Sequence, residues 1–319
     1  ASKSSAADLS APLAGKVPAG TSLKIASYQN VQQLQFRLAG LPKLPFTVSN
    51  WLNVGAGPDV INAFRARSLD LANNAGIPPI QAHYQGYDAK IVAINLTRRP
   101  NYLFATRPGS DIRTVAGFKA GSSRSRRGRP RRRAAARAEG GGTDLRPGRV
   151  GAADQQPVPH RAAVRPGRRG PARQQPGPGV SQAVRPEGAH TIPTDVVDLL
   201  NLLWAPVSVL ADRAKAAAVA AYIPQWAQGL VWQWEHPDVW NREFYVKTQN
   251  LSLAQAEAIT RLANKPLFPP RWDEAVKWEQ ETADLLAEGG FVKRFKVDTL
   301  FDRRFESIAA RAVPAQYRR

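Results

Sequence analysis

The sequence predicts an α/β protein with a mostly parallel sheet, and three observations support that prediction. Short apolar strands alternate with helical patterns over residues 22–120. Amphipathic helices dominate residues 191–319. The 319 residues are 43% hydrophobic, which is enough to bury the cores of two lobes. Alternation of strands with helices favours parallel strands, because each crossover helix covers one face of the sheet.

The first elements form a strand–helix–strand set. TSLKIASYQN predicts a short apolar strand that ends in the polar loop Tyr28-Gln29-Asn30. In VQQLQFRLAGL, apolar residues recur at helical spacing from Val31 to Leu41. PFTVSNWLNV alternates between apolar and polar residues and predicts a second strand.

The next stretch predicts two more helices and two more strands. AGPDVINAFRARSLDLANN opens with a Gly-Pro helix start and closes in a short strand at residues 69–71. GIPPIQAHYQG begins another helix, and AKIVAINL is a buried strand.

The C-terminal region is also α/β but richer in helix. TDVVDLLNLLWAPVSVLAD contains strand-like apolar runs. AKAAAVAAYIPQWAQGLVWQW predicts a helix that Pro224 should kink. DEAVKWEQETADLLAEGGF predicts a second helix, with Val276, Leu285 and Leu286 facing inward.

Residues 121–190 differ in composition from both flanks. This stretch carries 16 Arg, no Lys and four acidic residues, so it supplies +12 of the net charge of +20. With one Leu and no Phe, Trp, Tyr or Ile, it cannot bury enough apolar surface to offset the entropy of ordering its backbone, and we predict that it is disordered.

Two interpretations of this Arg-rich segment compete. A basic arm that binds nucleic acid usually carries Lys and base-stacking aromatic residues, and both are absent here. The abundant Arg, Gly, Ala and Pro are residues whose codons begin with two G or C bases, which is typical of a GC-rich gene translated out of frame. We favour a frame-shifted stretch over a selected disordered arm.

The composition also limits the chemistry. The chain has no Cys, which excludes disulfides, thiolate metal sites and a cysteine nucleophile. The four histidines, at positions 83, 160, 190 and 236, lack metal-ligand spacing, so we predict no metal site and no cofactor.

The N-terminal residues 1–21 are small and polar. They are typical of a flexible tether that follows a removed export signal, although a trimmed start would look similar. No apolar run approaches the roughly 20 residues needed to span a bilayer.

Six motifs occur in the order found in one family: KIASYQN, GAGPDVINAFRARSLDLANNAGIPPIQAHYQGYDAKIVA, RPGSDIRTVAGFKA, WEHPDVW, DEAVKWEQETADLLAEGGFVKR and LFDRRF. The flanks of the Arg-rich segment thereby resemble solute-binding proteins of ABC importers for aliphatic sulfonates, taurine and nitrate. The resemblance implies a two-lobed, type II periplasmic-binding-protein (Venus-flytrap) fold. Residues 22–105 and 206–319 would form lobe 1, and residues 106–205 would form lobe 2, most of which the Arg-rich segment replaces.

The resemblance implies a non-catalytic, monomeric protein, periplasmic or tethered to the cell surface, that delivers a small anion to a membrane permease and binds no nucleic acid. Two alternatives remain. One is an Arg-rich nucleic-acid-binding protein. The other is an enzyme of the sulfinate desulfinase or thiamin-pyrimidine synthase type, which the absence of the cysteine they use disfavours.

The resemblance also implies a ligand site where helix N-termini follow strands, since unpaired N–H groups there bind anions. The implied residues are Tyr28, Gln29, Asn30, Gly57, Asn74, Ala75, Gly76 and Trp204. Plainer interpretations are a helix cap at Asn30, an ordinary turn at Asn74, and core positions for Tyr28 and Trp204. With its second lobe altered, the chain is expected to bind its ligand weakly or not at all.

Overall fold

The computed structural model describes residues 9–100, 103–106, 109–114, 116–117 and 191–319. The Arg-rich segment 121–190 lies outside the described residues, so its disorder stays a prediction. The chain divides into two compact units, one made of residues 1–101 with 196–319 and the other of residues 102–195. The chain therefore returns to the first unit ten residues earlier than predicted, because the strand at 200–206 is paired within that unit.

The strands of the described part are β1 (Ser22–Ala26), β2 (Thr47–Leu52), β3 (Ala72–Ala75), β4 (Ala89–Leu96), β5 (Leu103–Ala105), β6 (Thr191–Pro193) and β7 (Leu200–Pro206). β1 and β2 are parallel, and a parallel bridge between Ile25 and Leu71 links β1 to the start of β3. β7 lies between β3 and β4 and runs antiparallel to both. The prediction of a mostly parallel sheet is therefore wrong for the returning strand.

The longer helices are α1 (Val31–Leu38), α2 (Gly57–Arg65), α3 (Ile77–Tyr84), α4 (Arg213–Glu235), α5 (Leu253–Arg261) and α6 (Asp273–Glu288). Shorter helical turns connect them. The predicted α/β alternation is thus confirmed, with the third strand beginning at Ala72 rather than Leu69.

One inward-facing residue was predicted incorrectly on α6. Leu285 is 69% exposed, because the buried stripe of α6 instead passes through Ala275, Glu279 and Ala283. These positions are spaced four residues apart and therefore share one face.

The core of the first unit lies around the sheet and α4. Tyr222 and Trp226 of α4 are almost fully buried. Asp70 attaches α4 to β1, because one carboxylate oxygen accepts from the Lys24 backbone N–H at 2.8 Å and the other pairs with Lys215 Nζ at 3.0 Å.

Residues 9–21 are not a free tether. Leu9, Leu13 and Val17 pack against the core, and the carbonyl of Ala11 accepts a hydrogen bond from Arg304 at 3.0 Å. The prediction of a flexible segment is therefore wrong from residue 9 onward, because three spaced apolar side chains are enough to hold it on the first unit.

The second unit is described only in part. Its β5 and β6 pair antiparallel, with Phe104 opposite Ile192. Among all described helices, none is both long and apolar enough to cross a membrane.

Candidate functional site

Three loops meet at one edge of the sheet in the first unit. β1, β2 and β3 run in the same direction, and their carboxyl ends are followed by residues 28–30, 53–56 and 76. The sequence-predicted residues before Trp204 all lie in or next to these loops. Helices α1, α2 and α3 start directly after the loops, so three helix N-termini gather at this edge.

The first loop holds two consecutive residues in left-handed backbone conformations. Gln29 has φ 52° and Asn30 has φ 60°. Such a conformation costs roughly 1–2 kcal/mol for a residue with a side chain, although Asn tolerates it better. Two adjacent outliers next to a strand end are typical of a functional loop rather than a plain connection.

Ser27, not Asn30, satisfies the start of α1. The Gln32 N–H donates to Ser27 Oγ at 3.3 Å, and the Ser27 hydroxyl contacts Gln33 Oε1. Asn30 makes no side-chain cap; its Oδ1 accepts from Gln33 Nε2 at 3.2 Å. The helix-cap interpretation of Asn30 is therefore wrong.

The second loop packs tightly on the first. The Gln29 N–H donates to Asn53 Oδ1 at 2.8 Å. A methyl group on Gly55 would lie 3.0 Å from the ring of Tyr28, so this glycine leaves room for the ring close to the backbone. Tyr28 remains 37% exposed and presents its other side to the outside of the first unit.

The Asn74 amide joins the second and third loops. Its Nδ2 donates to the Gly55 carbonyl at 2.8 Å, and its Oδ1 accepts from Trp204 Nε1 at 2.8 Å. Trp204 is fully buried, with its ring 4.9 Å from Phe64 in an edge-to-face contact. Trp204 therefore lies in the core and presents no surface to a ligand, because its N–H and its ring both find partners inside the unit.

The start of α2 contacts the start of α3. A methyl group on Gly57 would lie 2.8 Å from Pro78 Cγ, so only glycine allows this approach. In the first turn of α2, the N–H groups of Ala56, Gly57 and Asp59 have no partner within the helix, because the helix begins there and Pro58 has no N–H. The first turn of α3 offers only Gly76 and Ile77, because two prolines follow. The paired N-termini thus bring together the positive ends of two helix dipoles, without a basic side chain and with one acidic residue, Asp59, in the first turn of α2.

Glu279 is the residue that sequence analysis missed at this edge. It is fully buried, and neither carboxyl oxygen has a hydrogen-bond partner among the described residues. The carboxyl lies against Gly76, whose Cα carries no side chain to exclude it; a methyl group there would lie 3.1 Å from Glu279 Cδ. Burial, with a smaller contribution from the charge of Asp198, raises the pKa of Glu279 to about 8.

The spacing of the α6 stripe was the available signal for this residue. Glu279 lies midway between two buried alanines, where a carboxyl interrupts an otherwise apolar face. A lone acid on such a face is uncommon unless it is paired or functional.

The rest of the described chain offers an open depression and no metal-binding cluster. The depression, of about 180 Å³, is lined by Leu199, Glu274, Lys277, Trp278 and Glu281, and it shares no residue with the three loops. Within the described ranges, no group of three His, Cys, Asp or Glu side chains could hold a metal ion.

Comparison with solved structures gives the fold. The periplasmic aliphatic sulphonate binding protein SsuA from Escherichia coli aligns over 90% of this chain and 99% of its own, with a TM-score of 0.56 and 15% identity. The alkanesulfonate-binding protein SsuA from Xanthomonas axonopodis pv. citri, bound to MOPS, aligns over 89% of this chain and 99% of its own, with a TM-score of 0.56 and 16% identity.

The chain has a periplasmic-binding-protein fold. The sequence itself matches neither a protein-family model nor a curated protein. At 15% and 16% identity the comparison shows the fold alone, so the function must be argued from the site.

Proposed function

We propose that this protein is the non-catalytic, substrate-binding component of an ABC importer and that it binds an aliphatic sulfonate or a related small anion such as taurine or nitrate. The observation on which the proposal depends is the contact of Gly57 with Pro78, which brings the N-termini of α2 and α3 together. Unpaired N–H groups and aligned helix dipoles favour an anion there. The two solved sulfonate-binding proteins that share the fold support this choice of ligand.

In this proposal the predicted site residues take two roles. The backbone at Gly57, Ala75 and Gly76 lies next to the anion, and Tyr28 with Gln29 and Asn30 borders the site. Asn74 and Trp204 hold the loops in place from behind, because their polar atoms are already bonded to each other and to Gly55. The proposed setting is the periplasm, with a membrane permease as partner.

The direct test is equilibrium dialysis of the full chain against radiolabelled methanesulfonate, taurine and nitrate in buffers that contain no sulfonate. Saturable binding of at least one anion is expected. The affinity should be low, since residues 121–190 replace sequence that the resembling family uses in its second lobe. Because the altered second lobe can by itself abolish binding, the same measurement is made on a chain translated in the restored frame across residues 121–190. Absence of binding for all three anions in that chain would reject the proposal.

The nucleic-acid alternative makes an opposite prediction. If the Arg-rich segment were a functional arm, the chain would bind DNA with a steep dependence on salt, and deletion of residues 121–190 would abolish that binding. Our proposal expects that the deletion leaves anion binding by the first unit in place.

We also propose that residues 121–190 arise from paired frame shifts. The Arg, Gly, Ala and Pro composition and the missing aromatic residues support this. Translation of the gene in all three frames across this interval tests it. The expected result is one frame that encodes alternating apolar strands and helices. An Arg-, Gly-, Ala- and Pro-rich sequence in every frame would contradict the proposal.

A further inference from the structure

The carboxyl of Glu279 lies beside the anion site without a hydrogen-bond partner among the described residues. It reaches the start of α3 from α6, and it is fully buried against Gly76. The same turn of α3 offers only the N–H groups of Gly76 and Ile77, since Pro78 and Pro79 have none. A negative charge on Glu279 would therefore lie next to the few donors that a negative ligand needs.

We propose that the N-terminus of α3 takes up a singly charged oxyanion together with one proton, and that this proton resides on the Glu279 carboxyl. This inference rests on the anion-binding function proposed above and adds a regulator to that site. When the carboxyl is neutral, the helix dipole is available to the ligand, and the carboxyl O–H can act as one more donor. When the carboxyl is ionised, its charge repels the anion in a buried setting with little screening.

The elements around Glu279 carry a second acid and a histidine. Asp198, on the segment that leads into β7, is the charged group that acts on Glu279, and its negative charge also favours the neutral acid. His83 on α3 stacks on Phe295 with a ring distance of 4.2 Å, and Lys90 and Asp88 are its charged neighbours.

Other charged groups on α6 and on the turn packed against it are paired with arginines or exposed to solvent. The pairs are Asp273 with Arg271, Glu274 with Arg98, Asp284 and Glu288 with Arg294, and Asp298 with Arg303, while Lys277 and Glu281 are exposed.

The test measures methanesulfonate binding by equilibrium dialysis between pH 7 and pH 9.5 for the wild type, Glu279→Gln and Glu281→Gln. With a pKa of about 8 in the free protein, wild-type affinity should fall about 30-fold across this range. Glu279→Gln cannot ionise, so its affinity should stay nearly constant. Glu281→Gln is the matched control, because Glu281 is exposed on the same helix, and it should behave as the wild type.

A second measurement needs no variant. At pH 8, about half of the Glu279 carboxyls are ionised, so saturation of lightly buffered wild-type protein with methanesulfonate should take up about 0.5 proton per anion bound. A pH-indicator dye reports this uptake.

The outcomes separate the two proposals. Binding with the same pH profile in wild type and Glu279→Gln, or binding without proton uptake, overturns the role of Glu279 and leaves the anion-binding function standing. Absence of binding in every variant at every pH, and also in the chain translated in the restored frame, overturns both.

Discussion

Both polar atoms of the Asn74 side-chain amide form hydrogen bonds within the first unit. Its Nδ2 bonds the Gly55 carbonyl, and its Oδ1 accepts from the buried indole of Trp204. One small side chain therefore fixes the second loop to the third and both to the core. Buried polar groups that lose such a partner cost more than the bond itself contributes, because they keep no contact with water.

We expect Asn74→Ala to lower the free energy of unfolding by about 2–3 kcal/mol, since it leaves the Trp204 N–H and the Gly55 carbonyl without partners. Urea denaturation followed by tryptophan fluorescence measures the change. Asn62→Ala on the exposed face of α2 is the control and should change stability by less than about 0.5 kcal/mol. Equal effects of the two substitutions would contradict the bracing role of Asn74.

Glu279 makes stability depend on pH in a defined direction. Its pKa is about 8 in the folded protein against 4.5 as the ordinary value, so the folded state binds more protons between these pH values. Stability due to this group is complete below pH 4.5, falls as pH rises, and is lost above pH 8.

Glu279→Gln should therefore stabilise the protein by roughly 3–5 kcal/mol at pH 8 and by almost nothing at pH 4.5. Thermal unfolding at the two pH values measures the difference. Glu281→Gln should give no comparable gain, because its side chain is exposed. If Glu279→Gln is no more stable than the wild type at pH 8, ionisation of the buried carboxyl does not lower the free energy of unfolding, which contradicts this prediction.

At the scale of elements, the junction of α2 and α3 depends on the absence of a side chain at Gly57. The glycine backbone contacts the Pro78 ring, and this proline has little freedom to move because its ring is part of the backbone. The same contact positions the N–H groups that we propose bind the anion.

Gly57→Ala should separate these helix starts. We expect a loss of about 1–3 kcal/mol in stability from overpacking and at least a tenfold loss in methanesulfonate affinity. Gly15→Ala, where a methyl group would meet nothing within 4 Å, is the control and should leave both quantities unchanged. Undiminished affinity in Gly57→Ala would place the anion elsewhere.

At the scale of the whole molecule, the chain leaves and re-enters the first unit at neighbouring positions. The Thr97 N–H donates to the Leu199 carbonyl at 2.8 Å, and Leu96 lies opposite Leu200. The first unit contains its own core, with β7 paired on both sides.

We therefore expect that replacing residues 102–195 with a Gly-Ser linker of about eight residues leaves the first unit folded, because the linker spans a short distance between paired strands. Cooperative thermal unfolding and dispersed amide NMR signals would support this. A molten or insoluble product would show that the unit needs the replaced residues.

Several features of the fold could be predicted from the sequence alone. The order of strands and helices, the Gly-Pro and Gly-Ile-Pro-Pro helix starts and the buried strand AKIVAINL follow from local patterns of polarity and from the restricted backbone of Pro. The loops that follow β1, β2 and β3 could be named for the same reason.

Other features could not be predicted from the sequence. The direction of β7, the packing of Leu9 on the core and the exposure of Leu285 depend on partners distant in the chain, which local periodicity cannot report. For Trp204 the sequence left a ligand contact and a core position open, and the structure decides for the core, where Asn74 supplies the acceptor that a buried indole requires.

The sequence by itself determined the α/β order, the anomalous composition of residues 121–190 and the positions of the loops, since these depend on residues close together in the chain. Only the tertiary structure decided that Gly57 contacts Pro78 and that Glu279 lies buried against Gly76. The physical reason is that charge and packing act through space: α6 follows α3 by almost two hundred residues, and only folding brings its carboxyl to the start of that helix.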